Sequence, residues 1–456
     1  MFGRLRRVMA KWVAQTWADV KASTDASLLG VARFLGLLYG PIDRRLRIDQ
    51  ALRKSLQYRL PSHVTWRQAF GGIAYLLFIM LVVTGVLLSL YYRPSAEAAY
   101  QSIQHIVSQV SFGWLIRDVH VWSANLIVIA IGVHMARVFF DAAYKSPRET
   151  NWLVGLLLLF IVLTFGATGY LLPWDQWAYW TATEVLDAVA RVPVVGSAIA
   201  AALTGDVIVS GATLSRYFAL HVIVLPWVAF ALLVYHFTLV RRRGIAPPRG
   251  TPASTGNERT LSPEDTLAGI EGPATPPKAS TSDDEGIPFF PNHLLRSFII
   301  ALVVFAAVIS LAVLYPRPVG DAANPYAVPE ELVSTWVVVD VSLAIIRYLG
   351  NWGLAFVALL VLSLALLPLF DRRPESRLSR RPLAVTLGVV FIIGFIVAWL
   401  VGHRLSSIPL TVTTPSSSLV QSVELSGSAV RVPDLGPAPV RPSPLPDTAG
   451  QEGREP

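Results

Sequence analysis

Four histidines stand in apolar surroundings: His120 and His134 in RDVHVWSANLIVIAIGVHMARV (117–138), and His221 and His236 in RYFALHVIVLPWVAFALLVYH (216–236). An imidazole in hydrocarbon costs free energy unless its ring nitrogens are satisfied. The intervals are 14 and 15 residues. In a regular helix these steps separate the two rings by roughly 20 Å and rotate them by only about 40° and 60°. Each helix therefore shows both histidines on one face. If the two helices run in the same direction, His120 lies level with His221 and His134 with His236. Opposed imidazoles at two depths would hold two b-type haems by bis-histidine ligation.

Glycines repeat the interval. Gly71 and Gly85 are 14 apart, as are Gly155 and Gly169. A missing side chain leaves room for a flat macrocycle against a helix. Arg117, Arg137 and Arg216 lie close in sequence to the histidines and could pair with haem propionates. Any one intramembrane histidine is as readily a packing residue or part of a proton path. Four at matched depths, with two glycine pairs in step, favour ligands. His63, His105, His293 and His403 read as ordinary surface or helix-end residues.

These residues need membrane-spanning helices to hold them. The 456 residues are 53% hydrophobic and 15% charged, with mean hydropathy +0.52. Apolar runs reach the roughly 20 residues a helix needs to cross a bilayer. The net charge of +8 then reads as topology signals beside those runs, not as a nucleic-acid surface. The chain has no cysteine, which excludes disulfides, thiolate iron–sulfur clusters and thioether haem attachment.

The expected fold is all-α and membrane-integral: a four-helix haem-binding bundle plus three further transmembrane helices. Spans are expected at about 71–91, 117–140, 152–171, 213–240, 293–315, 351–370 and 381–402. A cytoplasmic amphipathic segment (1–70) precedes the four-helix domain (71–243). A Pro/Ser/Thr-rich linker (244–289) leads to a three-helix domain (290–402), and a disordered tail (403–456) follows. MFGRLRRVMAKW is basic without an apolar signal core, so the first span is expected to direct insertion. ELVSTWVVVDVSLAIIRYL (331–349) is expected as a re-entrant or interfacial helix. The basic groups KSPR (145–148), RRR (241–243) and DRRPESRLSRR (371–381) place the N-terminus in the cytoplasm, with the inner (plasma) membrane as the location.

The stretches GGI (71–73), TGVLLSLYYRP (84–94), FGWLIRDVHVWSA (112–124), HMARV (134–138), FGATGYLLPWDQWAYW (165–180), TLSRYFALHVIVLPW (213–227) and HFTLVRRRGI (236–245) resemble cytochrome b of the quinol-oxidising bc-type complexes. The likeness is to the split plant and cyanobacterial form in particular, and ANPYAVPEEL (323–332) resembles its small companion subunit, here fused. The resemblance implies that His120 and His221 hold a low-potential haem near the outer face, and His134 and His236 a high-potential haem near the cytoplasm. It implies quinol oxidation outside, with one electron passing to a Rieske iron–sulfur protein and a c-type cytochrome, and a quinone site near the cytoplasm. It also implies a homodimer.

Three departures matter. Ala69 stands where the plant form has a haem-attaching cysteine, which leaves room at most for a further, non-covalent haem. Leu81 replaces a family glutamine. Ser334, Thr335, Trp336 and Val337 stand where the family shows PEWY, and a threonine is no base near neutral pH. Asp340, Glu330 or Glu331 are alternative proton acceptors, although Asp340 is rotated from Thr335 by about 140° on a helix. PWDQW (173–177) either lines a quinone site, Trp174 stacking and Asp175 hydrogen-bonding, or forms an interfacial aromatic belt. Arg241 to Arg243 steer quinone or protons, or simply set topology. Two redox readings follow: a bc-type cytochrome b with an altered outer site, or a haem subunit passing electrons between an external oxidoreductase and quinone without bifurcation. A scaffold or transporter with packing histidines is the third.

Overall fold

The computed structural model describes residues 59–61, 63–246, 286–288, 292–329, 336–373 and 375–405. The expectations for 1–58, most of the 244–289 linker, 330–335 (with Glu330, Glu331, Ser334 and Thr335) and the tail beyond 405 lie outside these residues.

The described chain is helical apart from one antiparallel two-residue ladder, β1 (Arg59–Leu60) with β2 (Ile287–Pro288). The helices are α1 (Ala69–Ser89), α2 (Ala99–Ser108), α3 (Gly113–Phe140), α4 (Glu149–Tyr170), α5 (Gln176–Ala190), α6 (Gly196–Thr204), α7 (Gly211–Arg243), α8 (Leu294–Leu314), α9 (Val337–Leu349), α10 (Asn351–Phe370) and α11 (Pro382–Leu405). Among the described residues six are long and apolar enough to cross a membrane: α1 with its leading turn, α3, α4, α7, α8 and α11. α10 is the seventh apolar helix of the expectation, with a shorter described apolar run, Ala355–Phe370. Large apolar side chains such as Phe160, Trp227, Phe298 and Phe391 remain exposed on these helices, as lipid-facing residues must.

Boundaries differ from expectation where polar residues disguise a helix. α3 begins at Gly113, with Arg117 and Asp118 buried inside its first turns. The stretch before it contains α2, whose apolar Ile103 and Ile106 are buried. α9 covers the C-terminal part of the expected 331–349 helix, and α11 continues into the expected tail.

α1 packs chiefly on α3, and α4 on α7, while α8 lies against α1 and α3. The main core gathers Leu77, Met80, Val119, Ile127, Val128, Val308, Ala312 and Trp336. α1 starts at one end of the bundle, the proximal end. The α3–α4 and α10–α11 turns meet there: Lys145 Nζ lies 2.8 Å and Arg381 Nη2 3.0 Å from the Asp371 carboxylate, which also accepts from Tyr144 Oη. At the distal end Arg117 Nη1 donates to Asp118 Oδ1 (2.9 Å) and to the Arg317 carbonyl (2.6 Å). The backbone around Trp174–Gln176 pairs with 321–323. The two halves of the chain are thus bonded to each other at both ends.

Candidate haem-binding site

α3 carries His120 toward the distal end and His134 toward the proximal end, and α7 carries His221 and His236 in the same order. The rings of His120 and His221 lie with centroids 6.4 Å apart and planes inclined at 62°. Two metal–nitrogen bonds of about 2 Å each, added to the depth of the two rings, place opposed imidazole centres roughly 6 Å apart. The distal pair fits an iron ion held between its rings.

Helices α1 and α4 back the ligands. A Cβ built on Gly85 would lie 3.3 Å from His120 Cε1, and one on Gly71 3.2 Å from His134 Cε1. On the other side, a Cβ on Gly169 would lie 2.5 Å from His221 Cε1, and one on Gly155 3.9 Å from His236 Cε1. The four glycines and four histidines therefore match one to one. The glycines were expected to leave room for a macrocycle; here the space each leaves is taken by an imidazole edge.

The distal rings are also oriented by hydrogen bonds. His120 Nδ1 lies 2.8 Å from Thr84 Oγ1, and His221 Nδ1 lies 3.0 Å from the Phe165 carbonyl and 3.2 Å from Thr168 Oγ1. With Nδ1 engaged, Nε2 is the nitrogen left for a metal. Thr84 and Thr168 were not singled out from sequence. Each precedes a glycine of the repeat by one residue, which is the signal that would have found them. At the proximal level, His134 Nδ1 and His236 Nδ1 are buried with no hydrogen-bond partner, so the protein itself does not satisfy these rings.

The unequal intervals are reconciled by a π-helical turn at Leu220–Val224, which includes His221. Pro226 follows and has no N–H to give the Val222 carbonyl, so the regular ladder is interrupted here. A π turn absorbs one extra residue. The 15-residue interval then behaves as 14 regular steps, and both helices present their histidines with the same offset. Among the described residues no group of three or more His, Cys, Asp or Glu could hold a bare metal ion. Paired imidazoles instead suit an iron whose remaining ligands come from a porphyrin.

The three arginines are placed differently from one another. Arg117 is committed to Asp118 and to the carbonyls of Arg317 and Pro318. Arg216 donates to the Ala202 carbonyl (2.6 Å) and its guanidinium packs over Gly205. Arg137 lies 3.8 Å from Asp141 and keeps a buried Nε without a hydrogen-bond partner.

Asp175 is buried and caps α5: Oδ1 accepts from Ala178 N (2.9 Å) and Oδ2 from Gly320 N (3.1 Å). Burial pushes its carboxyl above the ordinary value, and these two backbone bonds pull the other way. Trp174 has φ +53° and its carbonyl accepts from Ala323 N. Both residues therefore tie the distal loop to the 317–323 segment. Asp340 lies buried on α9. Beside Ala69, between the starts of α1 and α8, is a cavity of about 250 Å³ lined by Gln68, His293 and Arg296 among others. It is smaller than the roughly 300–1,000 Å³ usual for small-molecule pockets.

A helical bundle in which each of four histidines at two depths lies against a glycine of a neighbouring helix is the arrangement expected of a membrane cytochrome of the b type. Residues 55–244 match the family described as cytochrome b/b6/petB, and residues 322–420 match that described as cytochrome b (C-terminal)/b6/petD. The chain is 39% identical over 211 residues to cytochrome b6 of Acaryochloris marina, covering 46% of this chain and 98% of that protein. It is 40% identical over the same length to cytochrome b6 of Synechococcus elongatus, with the same coverage. A solved structure described as a hyperthermophilic respiratory Complex III aligns with TM-score 0.66 and 26% identity, over 85% of this chain and 95% of that one. The chain belongs to the cytochrome b family, with the N-terminal and C-terminal parts in one polypeptide, and is a multi-pass membrane protein.

Proposed function

We propose that this chain binds two non-covalent b-type haems. His120 and His221 hold the distal one and His134 and His236 the proximal one, so that it carries electrons across the membrane between quinol or quinone and redox partners in a bc-type complex. The observation that carries the reading is the one-to-one match of histidines and glycines at both depths, together with the 6.4 Å separation of the distal rings. Bound there, haem supplies one-electron transfer. The protein's part is to fix the rings, through Thr84, Thr168 and the Phe165 carbonyl at the distal level, and to surround them with apolar side chains that exclude water. Arg137, three residues beyond His134 and with a buried Nε, is the best placed of the three arginines to meet a propionate.

The positive-inside pattern makes the distal end the outer face. The expected partners are a Rieske iron–sulfur protein and a c-type cytochrome, and the complex is expected to be dimeric and to lie in the inner membrane. The Ser334–Val337 register, with Thr335 where the family carries a glutamate, supports an outer quinol site whose proton acceptor differs from the family's. The same register supports a second reading, in which an external oxidoreductase exchanges electrons with quinone without bifurcation.

The test is stoichiometry and reducibility in the purified complex. Two extractable haems per chain, both reduced on adding quinol, are expected. A chain that carries none, or haems indifferent to quinol, contradicts the reading.

A further inference from the structure

α9 joins two helix ends on the distal side, Leu314 of α8 and Asn351 of α10. Just before it, Trp336 packs on α4: a Cβ on Gly166 would meet the Trp336 ring at 2.0 Å. Gly166 is flanked by Phe165, whose ring touches that of His221. Asn125 of α3 fixes the start of α9 by accepting from Val337 N (3.0 Å). One turn on, Asp340 is 4% exposed. Its Oδ2 lies 3.7 Å from Nδ1 of His403, whose side chain is 66% exposed.

The pairing is enforced by the backbone. A Cβ on Gly402 would fall 1.7 Å from the Asp340 carbonyl oxygen, so only glycine lets α11 approach closely enough to bring His403 there. A carboxylate inside the protein is thus held against an imidazole in water, one helical turn from Trp336, which packs beside the Phe165–His221 contact. Among the described residues, the charged groups that face Asp340 include His403 of α11 and, from the α8–α9 loop, Arg317, which stacks on Trp122 and also faces Asp118 of α3. α10 contains no titratable residue.

We propose that Asp340 accepts a proton from quinol at the distal face and that His403 relays it to water, taking the part that Thr335 cannot. This rests on the reading of distal quinol oxidation. One quinol gives one quinone, two protons and two electrons. The electrons leave to one-electron acceptors, an iron–sulfur protein outside and a haem within the membrane. One O–H proton passes to the Asp340 carboxylate, from there to a neutral His403, and then to bulk water. The second proton leaves by a route independent of this pair.

The test uses the purified complex, with decylubiquinol and menadiol as donors, and variants Asp340→Asn, Asp340→Glu and His403→Gln. Rates of quinol-driven haem reduction are followed from pH 5.5 to 9 beside haem content. Removing a general base costs about 10²–10⁴-fold. Asp340→Asn is therefore expected to slow reduction by at least about 100-fold at unchanged haem content, with Asp340→Glu largely restored. His403 is exposed, so His403→Gln should fold; it is expected to lose rate and to regain it with added imidazole. Wild-type rates and pH profiles in Asp340→Asn and His403→Gln would overturn the relay while leaving the functional reading intact. Loss of haem in Asp340→Asn without any rate or pH effect in His403→Gln would show a structural ion pair instead. A wild-type complex that neither quinol reduces would overturn the functional reading, and the relay with it.

Discussion

His120 of α3 and His221 of α7 meet between their helices with ring centroids 6.4 Å apart and planes inclined at 62°, each pressed edge-on against a glycine of a neighbouring helix. This relationship makes the four glycines unequal, and that inequality can be measured. A methyl at Gly169 would lie 2.5 Å from His221 Cε1, whereas one at Gly155 would lie 3.9 Å from His236 Cε1, an ordinary contact. Overpacking a tight interior costs about 1–3 kcal/mol. Gly169→Ala is therefore expected to weaken or abolish the distal haem, and Gly155→Ala to leave both in place, as read from reduced-minus-oxidised spectra. Equal effects at the two positions would contradict the geometry.

The π turn offers a second test. If it absorbs one residue, deleting Ile223 should restore regular helix and an interval of 14, leaving the two rings in phase. Both haems are then expected to survive. Deleting Ile129 from the regular helix α3 should instead swing His134 by about 100° and remove the proximal haem. The spectra of the two deletion variants check both outcomes.

Asp175 accepts one backbone N–H with each carboxylate oxygen. In Asp175→Asn the amide nitrogen would confront one of those donors. Leaving a buried donor unpaired costs about 1–3 kcal/mol, so a clear fall in melting temperature is expected, followed by the haem absorbance. If the substitution changed only the KM for quinol, the cap would not be this residue's main task.

The proximal clasp should respond to pH. Burial alone would raise the Asp371 carboxyl. The hydrogen bonds from Lys145 and Tyr144, with the charges of Lys145 and Arg381, outweigh it and hold the group below the ordinary carboxylate value. A depressed folded value means stability that is present above the unfolded carboxylate range and lost as pH falls through the folded value. Asp371→Asn is therefore expected to melt lower than wild type at pH 7, by an amount of order 1 kcal/mol for this partly exposed site, and the gap should close toward pH 3. A gap independent of pH would contradict the assignment.

Much of this was legible because a membrane simplifies the code. Long apolar runs bounded by Lys and Arg mark the spans, and an imidazole inside one needs a reason. His120, His134, His221 and His236, with Gly71, Gly85, Gly155 and Gly169, stand out in the sequence by apolar setting and interval, and the structure sets each histidine beside one of these glycines. What stayed hidden depended on other parts of the chain. The π turn depends on a backbone ladder interrupted at Pro226, which a count of residues does not reveal. Asp175 has its second partner at Gly320, far along the chain, so its role as an anchor could not be read locally. His403 looked like a helix-end residue because its partner, Asp340, approaches only where Gly402 lets two helices touch.

The histidines are expected to act in level pairs. Haem spectra of His120→Ala, His221→Ala, His134→Ala and His236→Ala test it most directly. His120→Ala and His221→Ala are expected to lose one and the same haem, and His134→Ala and His236→Ala the other. Partial loss of both haems in every variant, or retention of both in any of them, would contradict it.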